Sequence, residues 1–204
     1  MSEVTTKSAV NERVIALVIH AFTVAHMIAA GISGPAAGPI LTPMTISMLC
    51  VIGGMCGING SVMKFAAKFA SNFVGFLLGV SIAEFIIGLI PGAGNLANAI
   101  ATGIVTELLG WSCFIVITGG FTGNFGFWDK LSLLKKSWGK WRENEDFRSK
   151  IKKAEEAMPE DLRARYNSLM KTISNDRIPQ SQRDNAIHEA EEILKPYGIS
   201  FDTV

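Results

Sequence analysis

Residues 14–32 read VIALVIHAFTVAHMIAAGI, and this stretch contains no aspartate, glutamate, lysine or arginine. The absence of charge continues to residue 63. At a rise of about 1.5 Å per residue, the quoted run is close to the length that a helix needs to cross a bilayer. It exceeds the apolar region of a secretory signal peptide, and the polar segment 1–13 before it carries two acidic residues. We interpret it as the first of several membrane helices.

Charge divides the chain into two parts. Only four charged residues lie between positions 14 and 128, whereas 29 of the 76 residues from position 129 onward are charged. Soluble domains carry about 25% charged residues, so the first part is strongly depleted. We predict a polar segment at 1–13, a hydrophobic membrane domain at 14–124, a basic aromatic interfacial helix at 125–142 and a cytosolic helical domain at 143–204. The net charge of +1 gives no reason to expect a nucleic-acid partner.

Glycine and proline divide the apolar part into helices. The breaker-rich stretch 31–39 predicts a first helix at about 12–30 and a second at about 40–58, with Thr42 and Pro43 as a possible start. Two further apolar runs cover 69–90 and 95–120. The predicted fold class is therefore all-α: membrane helical hairpins with about four apolar helices, plus a small soluble helical C-terminal cap. The alternative for 40–58 is a re-entrant hairpin.

The turn GLIPGAGN at 88–95 raises the question of a phosphate site. A P-loop requires a lysine and a hydroxyl residue after its last glycine, and a dinucleotide fingerprint requires a third glycine where Ala97 stands. Neither pattern is met. We interpret Pro91, Gly92 and Gly94 as a hairpin turn in which glycine supplies backbone freedom and proline ends a helix.

Small residues at four-residue spacing predict close helix packing, because helices in lipid associate where their backbones approach. The pairs are Gly53 and Gly57, Gly75 and Gly79, Ala25 and Ala29, and Ala99 and Gly103. They favour a tightly packed bundle, and we expect a homo-oligomer in the lipid bilayer.

Two acids, Glu84 and Glu107, lie inside the apolar runs. A carboxylate near the centre of a membrane helix costs about 2.5–3.5 kcal/mol on insertion scales, so each needs a compensating environment. One interpretation is an ion or proton site. The other is an acid that is protonated or hydrogen-bonded to neighbours such as Asn72, Asn95, Asn98 or a lysine.

The segment 125–142 combines tryptophan with basic side chains, as helices at the lipid headgroups do. We predict that Leu131, Leu134 and Trp138 form its apolar stripe. Basic residues beside a membrane segment also predict that this side, and with it both termini of a multi-pass protein, is cytoplasmic. The predicted membrane-interface anchors are Trp128, Lys130, Lys135, Lys136, Trp138, Lys140, Trp141 and Arg142.

The remaining sequence predicts soluble amphipathic helices at 159–173 and 180–195. No arrangement of catalytic residues is found. His20 and His26 are six residues apart and point to different faces of a helix, which does not suit a metal. We therefore expect no enzyme activity, no cofactor and no metal.

Five short elements in order resemble the YcjF-type hydrophobic domain, domain-of-unknown-function family 697. They are Pro35, LTPM at 41–44, CG at 56–57, IPGAG at 90–94 and GW at 110–111. The similarity covers about residues 14–118. It implies an all-helical, membrane-associated domain that is often fused to, or encoded beside, a dynamin- or Era-like GTPase.

This chain departs from the family pattern at two positions. Ala37 and Thr45 stand where the family usually has an acid and a glutamine. No GTPase motif is present, so a GTPase partner would act in trans. The predicted function is a non-enzymatic membrane anchor and adaptor that recruits a cytosolic protein through 143–204. The alternative is an oligomeric pore or transporter with Glu84 and Glu107 in its path. A third option is a soluble bundle that hides its apolar helices in an oligomer.

Overall fold

The computed structural model describes residues 10–33, 38–58, 64, 66, 68, 69, 94–119 and 126–201. Over these residues the protein is all-α, as predicted, with seven α-helices and no strand. The helices are α1 (Glu12–Ser33), α2 (Gly38–Met55), α3 (Gly94–Thr118), α4 (Phe127–Glu143), α5 (Glu145–Ala157), α6 (Glu160–Ile173) and α7 (Gln180–Leu194), followed by a single 3-10 turn at Lys195–Tyr197.

The prediction of about four membrane helices is wrong for the part of the chain that the structure describes. Two helices there are long and apolar enough to cross a membrane, Glu12–Ser33 and Ala99–Thr118, and the apolar helix at Pro39–Met55 is shorter. Most of the predicted helix at 69–90 lies outside the described residues. Length and composition alone do not separate a membrane helix from the core helix of a soluble protein, so packing has to decide between them.

The second helix begins earlier than expected. It starts at Gly38, and Pro43 lies inside it at the sixth position. A proline this close to the start removes one helix hydrogen bond, the one to the carbonyl of Pro39, and the helix tolerates that loss. The helix ends at Met55, and Gly57 follows with a φ of 76°, the left-handed conformation that glycine adopts at helix ends.

The antiparallel pair of α1 and α3 forms the centre of the fold. A Cβ added at Gly31 would lie 3.7 Å from Ala99, one at Gly103 would lie 2.7 Å from Sδ of Met27, and one at Gly110 would lie 2.7 Å from Cγ1 of Ile19. These three approaches extend along most of both helices. At Gly110 an added Cβ would collide with the buried, β-branched Ile19, whereas at Gly103 the flexible Met27 side chain could move aside. The absence of a side chain at both positions leaves room for Met27 and Ile19, so the two helices pack closely.

Helix α2 runs back along α1 and contacts α3 as well. His26 lies seven residues before the end of α1, and Thr45 lies seven residues after the start of α2. The Nε2 atom of His26 is 3.2 Å from the Thr45 hydroxyl, and its Nδ1 donates to the carbonyl of Phe22 at 2.7 Å. One ring nitrogen of the histidine is therefore held within α1, and the other joins α1 to α2.

The charged C-terminal helices pack onto the apolar ones. Buried residues of α1, α2 and α3 belong to the same hydrophobic cluster as those of α4–α7. Helix α6 packs on α7 and contacts α1. At the start of α1, Asn11 donates from Nδ2 to the carbonyl of Phe201 at 2.6 Å, and the Arg13 guanidinium donates to the carbonyl of Ser200 at 3.1 Å. The composition boundary near residue 128 does not divide the core.

The close approach at Gly110 yields a test of the α1–α3 interface. Gly110→Ala places a methyl group against Ile19, a β-branched side chain that is fully buried, and we expect a loss of about 1–3 kcal/mol in the free energy of unfolding. Gly139→Ala is the matched control, because nothing lies within 4 Å of its added Cβ, and a gain of about 0.5–1 kcal/mol is expected. Chemical unfolding followed by circular dichroism measures both. Equal stability of the two variants would contradict the packing described here.

Candidate functional site

The most unusual side chain in the described structure is Glu107, near the middle of α3. Its side chain is only 5% exposed. Thr23 of α1 and Trp111 of α3 lie close enough to interact with the carboxylate. An isolated buried carboxylate is costly, so its surroundings must offset the charge.

Arg148, in the first turn of α5, supplies the opposite charge. Its NH1 atom is 3.8 Å from Oε2 of Glu107, and its side chain is 16% exposed. The guanidinium also lies over the ring of Trp141, 4.9 Å from the centroid, which is a favourable cation–π distance. The charged neighbour of Glu107 is therefore an arginine from the charged part of the chain, a residue that was not among the partners considered from the sequence.

The ion pair is enclosed but loosely bonded. Burial lowers the pKa of Arg148, and the charges of Glu107 and Glu145 act against that shift. Within the described residues, four buried polar atoms around the pair have no hydrogen-bond partner: Thr23 Oγ1, Glu107 Oε1, Trp111 Nε1 and Arg148 NH1. His20 is within electrostatic range of Arg148. Such a cluster is sensitive to the loss of any one member, because each remaining group would be left buried without compensation.

Two further polar contacts tie α4 to the central helices. The Ser112 and Ser137 hydroxyls are 2.7 Å apart in a buried contact between α3 and α4. The Nζ atom of Lys140 lies 2.9 Å from Oε1 of Glu12 and 3.1 Å from Oε2 of Glu143. Burial acts to lower the pKa of Lys140, but the two carboxylates outweigh it and raise that pKa. Together with the ion pair, these contacts hold the charged helices against the apolar ones at three points.

The predicted interface anchors lie on different sides of α4. Trp128 is 77% exposed, and the side chains of Lys135, Lys136 and Arg142 are also exposed. Lys130, Trp138, Lys140 and Trp141 are half-buried. The rings of Trp138 and Trp141 are 5.0 Å apart, and Arg142 lies 5.7 Å over the Trp138 ring.

The predicted apolar stripe of α4 is partly covered by protein, and its contact with lipid stays a prediction. Leu131 is exposed, whereas Leu133 and Ser137 are buried and Leu134 is half-buried. The stripe was placed by hydrophobicity alone. The buried face instead includes Ser137, a polar residue whose hydroxyl bonds to Ser112 and to the carbonyl of Leu133.

The remaining predicted residues fall in several places. Gly53 is buried in α2, Gly57 follows the end of that helix, and Gly94 is the first residue of α3. Glu84, Pro91, Gly92, Gly75 and Gly79 lie outside the described residues, as does Ala37.

The described side chains offer little for covalent or metal chemistry. They include no group of three or more histidine, cysteine, aspartate or glutamate residues that could hold a metal ion. Cys56 and Cys113 are buried free thiols, and Cys50 is half-buried. What the cluster at Glu107 offers is an electrostatic connection between two parts of the protein.

Sequence reasoning missed Arg148, the Ser112–Ser137 contact and the close packing at Gly110. Arg148 is one of many charged residues after position 128, and nothing in its neighbours marks it as the partner of a residue 41 positions earlier. The available signal was the acid itself, since a lone carboxylate in an apolar helix requires a cation or a donor from elsewhere.

Removing one member of the ion pair should destabilise the protein. We expect Arg148→Met to lower the free energy of unfolding by about 3 kcal/mol, because Glu107 is left buried and unpaired. The double variant Glu107→Leu with Arg148→Met should recover most of that loss. Arg165→Met, which breaks the exposed pair with Glu189, is the matched control, with an expected change within about 0.5 kcal/mol. Chemical denaturation in one detergent serves all variants, and a double variant no more stable than Arg148→Met would contradict the pairing.

Comparison with known proteins identifies no relative. No protein-family model, no curated protein and no solved structure matches the chain. The resemblance to the YcjF-type hydrophobic domain rests on the sequence motifs alone and stays a prediction.

Proposed function

We propose that this protein is a non-enzymatic membrane anchor and adaptor. In this proposal the apolar helices hold the chain in a bilayer, and the charged helices α5–α7 present a surface to a cytosolic protein. The observation that carries the proposal is that the exposed side chains of α1 and α2 include large apolar ones, whereas those of α5–α7 are mainly charged.

Helices α1 and α2 expose an apolar surface. Val24, Ile28 and Ile32 are 38%, 58% and 79% exposed on one face of α1, and Ile40 of α2 is 47% exposed. They belong to the stretch 14–63, which has no charged side chain to hydrate it. An apolar face of this kind is suited to contact with lipid or with another protein.

Helices α5–α7 expose a charged surface. Helices α5–α7 bury one face in the core, through residues such as Phe147, Tyr166 and Ile187, and their outward faces carry lysine, arginine, aspartate and glutamate. A helical surface that carries charges of both signs can be matched only by a partner with the complementary pattern, which favours specific recognition over non-specific binding. The resemblance to the YcjF-type domain makes a GTPase acting in trans the first partner to test.

The pore alternative receives less support. A pathway for ions would need Glu107 to face an open passage, but its carboxylate is enclosed and faces Arg148. Glu84 lies outside the described residues. We therefore do not carry the alternative further.

Membrane attachment has a direct test. The full chain, expressed in cells, should stay with the membrane fraction after washing with alkaline carbonate and should be released by detergent. The apolar surface accounts for this, because carbonate removes proteins held only by charge. Recovery of the protein in the carbonate supernatant, or as a clear monomer in buffer without detergent, would contradict the anchor.

Recruitment of a partner has a separate test. A photo-crosslinking amino acid is placed in the full chain at Lys152 on the outward face of α5, and in a matched variant at Ile28 on the apolar face of α1. We expect protein crosslinks from position 152, with a pattern that differs between GTP and GDP conditions, and lipid adducts from position 28. The absence of any protein crosslink from position 152 under both nucleotides would contradict the adaptor.

A further inference from the structure

Burial by protein differs between the two ends of the bundle that the three apolar helices form. On α3, the nine consecutive residues from Thr106 to Phe114 are all buried. On α1, the five consecutive residues from Ile15 to Ile19 are at most 4% exposed. Five residues sweep more than one full helical turn, so α1 is covered on every side there. We call this enclosed half, with Met48–Ile52 of α2, the base.

The other half of α1 and of α2 carries exposed side chains on one face, whereas residues 99–105 of α3 are half-buried or buried between them. We call this half the tip, and it comprises 24–33 of α1, 38–46 of α2 and 99–105 of α3. On the outward face of α1, exposure rises with distance from the base, from Val24 through Ile28 to Ile32, while His26 and Ala30 on the inward face stay buried. Because α1 and α3 are antiparallel and α2 runs back along α1, the three tip segments lie at the same end of the bundle.

Within the described part of the three apolar helices, charged side chains lie only at the base and at the boundary between the two halves. The start of α1 is bonded to Lys140, Phe201 and Ser200, all contributed by the C-terminal part of the chain. Arg148 reaches Glu107, which lies at the level of Thr23, where the base gives way to the tip. The tip itself carries no charged residue.

We propose that the tip inserts into one leaflet of a bilayer and that α1 and α3 do not cross it. This inference rests on the membrane anchor proposed above and specifies how that anchor binds. The occupant of the apolar face is the acyl chains of the leaflet that faces the charged helices.

The dimensions agree with this arrangement. Residues 24–33 extend about 15 Å along the helix axis, at about 1.5 Å per residue. One leaflet contributes half of a hydrocarbon core that is about 30 Å thick. The base cannot supply the other half of a crossing, because its helices are covered by protein that includes helices with charged outward faces, and those faces require water.

The order of depths along α1 distinguishes the possibilities. In a background of Cys50→Ala, Cys56→Ala and Cys113→Ala, single cysteines are introduced as Val24→Cys, Ile28→Cys and Ile32→Cys and labelled with a nitroxide. Lys152→Cys, on the exposed face of α5, is the aqueous control. The full chain is reconstituted in vesicles of phosphatidylcholine and phosphatidylglycerol, and the label depth is read from relaxation by oxygen and by a water-soluble nickel chelate.

Insertion into one leaflet predicts increasing depth from position 24 to 28 to 32, with about 12 Å between the first and the last. A crossing helix, centred between residues 22 and 23, predicts the reverse order, with position 24 deepest, and that result would overturn the inference while leaving the membrane anchor intact. Labels protected from both relaxation agents would mean that protein covers the face, which also overturns the inference. Labels in water at all three positions would overturn the membrane anchor itself.

A second measurement does not depend on probe depth. Ser33→Cys, in the same cysteine-free background, places a thiol at the end of α1. A membrane-impermeant maleimide is applied to sealed vesicles, first from the outside and then from both sides. Insertion into one leaflet predicts no modification from either side until detergent is added. Modification from the side opposite to Lys152→Cys would overturn the inference.

Discussion

The close approach of α1 and α3 is the constraint on which the rest of the structure depends. Two glycines of α3, Gly103 and Gly110, have no side chain of their own, so Met27 and Ile19 of α1 fill the space between the helices. The pair then sets the positions of everything that contacts it. Helix α2 follows α1 through His26, and α4 lies on α3 through a buried pair of serine hydroxyls. Close packing of large side chains against glycine occurs both in lipid and in protein cores, so this contact does not itself indicate which solvent surrounds the helices.

The buried carboxylate of Glu107 links this apolar pair to the charged helices. Its partner Arg148 comes from the start of α5, so the ion pair forms only when the C-terminal helices are docked. Removing both charges from water is costly, and in some proteins such pairs contribute more to the choice of one arrangement than to net stability. In this protein the arrangement in question is the position of the charged helices along the axes of α1 and α3. A guanidinium that must reach Glu107 fixes how far along α1 and α3 the charged helices can extend, and this in turn fixes where the apolar surface begins.

The sequence predicted the class of fold and most helices, but it did not predict how they combine. The run around Ile15–Ile19 and the charged helices after position 143 were identified because periodicity and composition are local properties. The assumption that a change in composition marks a change of solvent was less successful, because Ile15–Ile19 are buried in the same cluster as Ile187 and Phe201. At the candidate site, Glu107 was singled out from its unusual surroundings, whereas Arg148 was not. A long-range partner depends on the packing of whole helices, and one sequence carries no record of that packing.

The bond between Asn11 and the carbonyl of Phe201 joins residues 190 positions apart. Ribosomes add about 5–20 residues per second, so about 10–40 s separate the emergence of one partner from that of the other. During this interval the first half of α1 has been made, but the C-terminal helices that complete its enclosure have not. A segment without charge, including Ile15–Ile19, must therefore be shielded from water by something other than its final neighbours, such as a chaperone or the membrane surface. Synthesis of the chain from its N-terminus thus requires temporary shielding of α1, which the folded protein no longer needs.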